Sequence, residues 1–119
     1  MKYVMLFAGP SDDGQNPQSE ADQAAMFDEI MTWWGTHAAA GTIIGGERLE
    51  AASSATTFTH AADGNIATID GPFIESKEEV SGYGLIEVAD LDAALALAKS
   101  WPLLKVPGQS VEVRPVLAM

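Results

Sequence analysis

Cysteine is absent from this chain, so a disulfide framework, a thiolate metal site and thiol redox chemistry are all excluded. Basic residues are scarce: six Lys and Arg stand against seventeen Asp and Glu, a net charge of -11. The resulting pI of about 4.2 makes the surface repel phosphate backbones and anionic membranes, so neither a nucleic acid nor a membrane is an expected partner. There are two histidines, His37 and His60. His60 and Asp63 flank an Asp-Gly turn without a second His or a carboxylate cluster beside them, and no metal is expected there. Long apolar runs are missing too. The opening Met1 to Ala8 is broken by Gly9 and Pro10, well short of the roughly 20 residues that a spanning helix needs. It reads as a first strand, with a cytoplasmic location expected. A Gly-rich phosphate loop between strand and helix is also lacking, and no cofactor is expected.

What is present is a chain of 119 residues, 47% of them hydrophobic, which suits a single domain over residues 1–119 with one core. Tyr3 to Ala8 is a continuous apolar run of strand length, the pattern of a central strand. Gly9 to Gln18 is rich in Gly, Pro, Asp, Asn and Ser and reads as a mobile surface loop. Ser19 and Asp22 have capping-box spacing, and the helix that follows carries Phe27, Ile30, Met31, Trp34 and Ala38 on one stripe. Met26, Trp33 and Ala40 widen that apolar surface, so a second helix face is expected to meet another subunit or a ligand space. Adjacent residues point about 100° apart around a helix, which assigns Trp34 to the core stripe and Trp33 to the wider face.

Gly41 caps this helix, and Thr42 to Leu49 is a strand interrupted by Gly45 and Gly46. Ala55 to Thr59 and Ile66 to Ile69 form a hairpin around Asp63 and Gly64. Asp70, Gly71 and Pro72 stop the second of these strands, and Phe73 is expected to fold back as a lid. Gly82 to Val88 is a strand with Tyr83 and Leu85 on one face and Ile86 and Val88 on the other. Asp90 caps a second helix with the stripe Leu91, Ala94, Leu95, Ala98 and Trp101, and Val111 to Leu117 is a last strand whose Pro115 marks either an edge or a bulge near its end. The order is an α+β, ferredoxin-like βαββαβ core with an extra β-hairpin: an antiparallel sheet with two helices on one face. The other face is too apolar to be left in water, and a second copy in a symmetric homodimer would bury it.

The chain resembles the YCII-related proteins, and within them the DGPF subgroup named for the tetrapeptide that this chain carries at Asp70 to Phe73. The resemblance rests on Lys2 to Leu6, Gly41, Gly45, the tetrapeptide with Glu75, Lys77 and Glu78, Gly82 with Tyr83, Asp92 to Ala94, Pro102 and Glu112 to Pro115. It implies a dimeric α+β barrel with a site in a cleft where an Asp sits beside aromatic and basic side chains. In the broader family a helical His pairs with a strand-end Asp as an acid-base dyad, and Asp70 matches the Asp. His37 lies closer to Gly41 than that His would, so the role does not transfer to it.

The candidate site is a strand-end cleft centred on Asp70 as the acid-base group, with Arg114, Tyr83, Trp34 and Arg48 holding a small, partly apolar organic ligand. Cofactor-free proton transfer, isomerisation or lyase chemistry would suit such a set. Each residue has a simpler use. Asp70 can accept hydrogen bonds within its own turn, and either arginine can pair with Glu47, Glu112 or Asp70. Tyr83 can reach a backbone partner, and Glu75, Lys77, Glu78 and Glu79 can form a solvated run. The rival function is a non-catalytic binding or accessory module in which the Asp70 to Phe73 turn is structural.

Overall fold

The computed structural model describes residues 1–10, 19–72 and 78–119. Of the loop expected from Gly9 to Gln18, Gly9 and Pro10 instead end the first strand, and residues 11–18, together with Phe73, Glu75 and Lys77, lie outside the described residues. Eight regular elements follow in order: β1 (Lys2–Pro10), α1 (Glu20–Ala39), β2 (Ile43–Arg48), β3 (Thr56–His60), β4 (Ile66–Asp70), β5 (Glu78–Glu87), α2 (Leu91–Lys99) and β6 (Ser110–Pro115). Two short 3-10 turns, Ala52–Ser54 and Pro102–Lys105, were not foreshadowed by any local pattern.

The main sheet has the order β2-β5-β1-β6, all antiparallel, which is the ferredoxin-like arrangement expected from the element order. β6 is an edge strand, which accommodates Pro115 because no ladder partner needs its missing N–H. β3 and β4 form a separate two-stranded sheet, with Thr56 opposite Asp70 and His60 opposite Ile66.

Local chemistry sets the helix boundaries. Ser19 Oγ accepts the Asp22 N–H at 3.1 Å, and Asp90 Oδ1 accepts the Ala93 N–H at 2.9 Å, each satisfying a donor that has no partner inside its helix. At the end of α1, Gly41 takes a φ of +80°, so that its N–H reaches Ala38 O and the Thr42 N–H reaches His37 O. That pair of bonds is a Schellman closure, and it requires a residue tolerant of left-handed φ.

The core fills the space between both helices and one sheet face. Tyr3, Met5 and Phe7 of β1 alternate inward with Ile86 of β5 and Ile43 of β2, against Trp33 of α1, Ala94, Leu97 and Ala98 of α2, and Trp101. Phe7 stacks on Trp101 at 4.1 Å between ring centroids, and Trp33 meets Trp101 edge-on at 5.0 Å. Such pairs contribute roughly 0.5–1.5 kcal/mol each beyond their buried area. Trp33 Nε1 donates to Ser100 Oγ at 2.8 Å, and that hydroxyl donates to Leu97 O.

Two stripe assignments change in the folded chain. Trp33, not Trp34, is the α1 tryptophan in the core, because α1 turns that side toward Trp101 and the end of α2. Both flanks of α1 are apolar, so spacing alone could not choose between them. On α2 the buried set is Ala94, Leu97 and Ala98, while Leu91 and Leu95 are exposed; the helix presents a narrower, smaller-residue seam to the sheet than the stripe implied.

Candidate functional site

The site begins with glycines. In β2 a register irregularity between Ile43 and Gly45 brings Gly46 opposite Gly84, and Gly46 adopts a φ of +137°. A Cβ on Gly46 would lie 2.7 Å from Trp34 Cη2 and 2.9 Å from Gly84 Cα. A Cβ on Gly84 would lie 3.5 Å from the same Trp34 atom. Gly46 thus forms a floor on which the tip of the Trp34 indole rests, and a side chain there would displace it, while a Cβ on Gly84 would meet the same tip at ordinary contact distance. Gly82 lets β2 approach β5 closely, since a Cβ at that position would be 2.9 Å from Glu47 O.

Beyond this floor, between the N-terminal half of α1 and the sheet, lies a cavity of about 930 Å3. Phe27, Ile30, Met31 and Trp34 of α1 border it on one side. Phe7, Trp101, Leu103 and Val106 are among its apolar lining, and Arg48, Glu50, Glu79, Ser81, Tyr83 and Gln109 are among its polar lining. The exposure of Phe27 and Met31, at 50% and 54%, follows from this placement: they face the cavity instead of the core. The two faces of α1 are exchanged relative to the sequence reading: Phe27, Ile30, Met31 and Trp34, the expected core stripe, border the cavity with Met26, while Trp33 of the expected wider face is in the core.

Three of the residues singled out from the sequence, Trp34, Arg48 and Tyr83, border this one cavity. Arg48 lies opposite Gly82, which lies opposite Phe7, so it is on the helix-covered side of the sheet. Its guanidinium forms no hydrogen bond or ion pair among the described residues, although pairing with Glu47, Glu112 or Asp70 was the simpler expectation. Tyr83 borders the cavity from a register position on the sheet's other side, beside Leu6 and Glu47.

The other two are elsewhere. Arg114 lies opposite Val4 on the face away from the helices, exposed, with Nε 3.9 Å from Glu112 Oε2. Asp70 ends β4 in the separate hairpin, where it is exposed and borders no part of the cavity. Its carboxylate has no hydrogen bond or ion pair among the described residues. The turn after it is held through the main chain instead: Gly71, at a φ of +111°, donates its N–H to Ala55 O at 2.7 Å, and its carbonyl accepts from Thr57 Oγ1 at 2.8 Å. His37 packs edge-on against Trp33 at 4.9 Å in the last turn of α1 and does not border the cavity. No group of three or more His, Cys, Asp or Glu suited to a metal occurs among the described residues.

Glu79, read from the sequence as part of a solvated run, also borders the cavity. β5 carries a bulge at Ser81: Phe7 faces Gly82, but Ala8 faces Val80 and Gly9 faces Glu79. Counted by strict alternation back from Gly82 through Ser81, Val80 would take the cavity side; with Ser81 bulged out of the ladder, Glu79 takes it instead. Glu79 Oε2 accepts the Ala52 N–H at 3.3 Å. The bulge is secured by Ser81, whose Oγ donates to Phe7 O at 3.3 Å and whose carbonyl accepts the Leu49 N–H at 2.8 Å. Bulges re-aim side chains near functional sites, yet the sequence marks this one only by a Ser-Gly step inside a strand.

Among known proteins, the model of the YCII-related domain matches residues 1–119. An uncharacterised protein of Rhizobium meliloti (strain 1021) is 41% identical over 69 residues, 58% of this chain, and the match spans about half the length of that relative, 55%. Among solved structures, the 5-chloro-2-hydroxyhydroquinone dehydrochlorinase of Burkholderia phenoliruptrix AC1100, in complex with 2,5-dihydroxybenzoquinone, superposes with a TM-score of 0.53. That comparison covers 100% of this chain and 96% of the enzyme at 12% identity, a likeness of fold. No helix among the described residues is long and apolar enough to cross a membrane. With its whole length matched and its ferredoxin-like topology in place, this chain belongs to the YCII-related domain family.

Proposed function

We propose that the protein binds a small, partly apolar organic molecule in the cavity between α1 and the sheet, and that any reaction there is cofactor-free acid-base chemistry. The observation that carries this reading is Arg48: a guanidinium without a partner among the described residues, bordering a cavity walled by Trp34, Phe27 and Phe7, in a chain with almost three acids for every base. A guanidinium is suited to clamping an oxyanion with two parallel bonds, and aromatic walls suit a planar apolar body. The fold-sharing enzyme whose complex holds 2,5-dihydroxybenzoquinone is consistent with a ligand of that size and shape. Asp70 enters this reading as a residue of the turn, since the main chain of Gly71 bonds to Ala55 and Thr57 while the Asp70 carboxylate stands apart from the cavity.

The sheet face away from the helices carries Val4, Leu6, Ala8, Val80, Tyr83 and Leu85, and a second copy packed there in an isologous homodimer would bury it. Isothermal titration of 2,5-dihydroxybenzoquinone and small carbonyl acids into the wild type, Arg48→Met and Asp70→Asn, on protein sized by light scattering, tests the whole reading. Binding should fall about tenfold or more in Arg48→Met and stay unchanged in Asp70→Asn, on a dimer. No heat with any probe, or equal affinity in Arg48→Met, refutes the cavity assignment. Loss of binding in Asp70→Asn returns Asp70 to the site. A monodisperse monomer refutes the dimer.

A further inference from the structure

Resting on the ligand cavity proposed above, we infer that Glu79 is its hydrogen-bond acceptor for a donor hydroxyl, and that with Arg48 it selects hydroxy-substituted aromatic carboxylates. The argument starts from the bulge at Ser81, which turns Glu79 to the same side of the sheet as Arg48. A bulge interrupts the ladder and re-aims the side chains beyond it, and bulges are over-represented beside active sites. One carboxylate oxygen of Glu79 is fixed by the Ala52 N–H at 3.3 Å. The other has no partner among the described residues. A carboxylate accepts and cannot donate, while the Arg48 guanidinium donates and cannot accept.

The two groups therefore read opposite features of one ligand. Arg48 takes an oxyanion, and the remaining oxygen of Glu79 takes a hydroxyl hydrogen. Trp34 and Phe27, which line the same cavity, offer aromatic and apolar surface. A ligand with a carboxylate alone would be repelled by Glu79 without compensation. One with a hydroxyl alone would leave Arg48 unpaired. A planar ring carrying both satisfies each group, and a site built to bond a hydroxyl rejects the analogue that lacks it.

The test titrates benzoate, phenol and the 2-, 3- and 4-hydroxybenzoates into the full chain by calorimetry, for the wild type, Glu79→Gln and Glu79→Met. Glutamine keeps the Ala52 bond through its carbonyl oxygen but replaces the free acceptor with a donor, so it removes the proposed reading without removing the anchor. At least one hydroxybenzoate should bind the wild type about tenfold tighter than benzoate. In Glu79→Gln that preference should shrink to within about threefold, with benzoate bound as well or better because a negative charge has gone. Glu79→Met should show the same loss of preference, and thermal unfolding of each variant shows whether it is folded. A wild type that binds benzoate and the hydroxybenzoates equally, or a preference that survives both variants, overturns this inference and leaves the cavity assignment standing. If no ring compound binds and 2,5-dihydroxybenzoquinone also fails, both fall.

Discussion

Trp34 rests on Gly46: a single Cβ added to that glycine would come within 2.7 Å of the indole. The contact requires glycine at that position of β2, and it makes the cavity wall dependent on the absence of a side chain beneath it.

Gly46→Ala is therefore expected to be costly twice over. The backbone φ of +137° is closed to an alanine without strain, and the new methyl group meets both Trp34 and the Gly84 backbone. A loss of about 2–4 kcal/mol is expected in urea denaturation, together with weakened ligand binding as Trp34 is displaced. Gly35→Ala is the internal control. Gly35 lies within α1 at an ordinary helical φ with nothing within 4 Å of an added Cβ, so this change should stabilise by roughly 0.5–1 kcal/mol. Equal effects from the two substitutions would refute the glycine-floor argument.

The adjacent tryptophans should separate stability from binding. Trp33 is in the core, bonded to Ser100 and packed against Trp101, whereas Trp34 is partly exposed to the cavity. Trp33→Ala should lose about 3–5 kcal/mol in chemical denaturation. Trp34→Ala should lose less than half as much while reducing the affinity for ring compounds more strongly than Trp33→Phe does. A stability loss in Trp34→Ala equal to that of Trp33→Ala would place Trp34 in the core after all.

Those two tryptophans also show what sequence reasoning can and cannot see. Helix and strand placement was legible because it is local: Ser19 and Asp90 announce the helix starts, Gly41 the helix end, Pro115 the edge strand, and Gly71 the turn that needs a positive φ. The rotation of α1 was not, since Met26, Phe27, Ile30, Met31, Trp33 and Trp34 wrap an apolar surface around much of the helix. Which side is buried depends on where Trp101 and the end of α2 arrive, a long-range fact. For the same reason the family resemblance pointed to Asp70, while the cavity gathers Arg48, Trp34 and Glu79. The hairpin pairs only within itself among the described residues, and nothing in its own alternation says where its end is carried. Glu79 was read as part of a solvated run ahead of a strand beginning at Gly82; β5 in fact begins at Glu78, and the bulge that sets the side Glu79 takes arises only from pairing with β1.

The hairpin turn supplies a prediction on pH. Asp63 Oδ1 accepts the Asn65 N–H at 2.9 Å, and Gly64 completes the turn at a φ of +88°. The backbone N–H of Asn65, followed by its side-chain amide, lowers the Asp63 pKa from its ordinary 3.8. A carboxyl whose folded-state pKa is depressed stabilises the fold above its unfolded value and loses that contribution as pH falls through the folded one. The turn should therefore keep its full order above the ordinary carboxylate range and loosen only as pH falls below it. Amide hydrogen exchange and the Asn65 N–H chemical shift, followed by NMR from about pH 5 to about pH 2, should report a single transition below 3.8 at this turn. Asp63→Asn should abolish that local transition, because the replacement amide does not titrate, while its carbonyl oxygen can still accept the Asn65 N–H. The same transition persisting in Asp63→Asn would trace it to another carboxylate and leave Asp63 no part in the pH response of the turn.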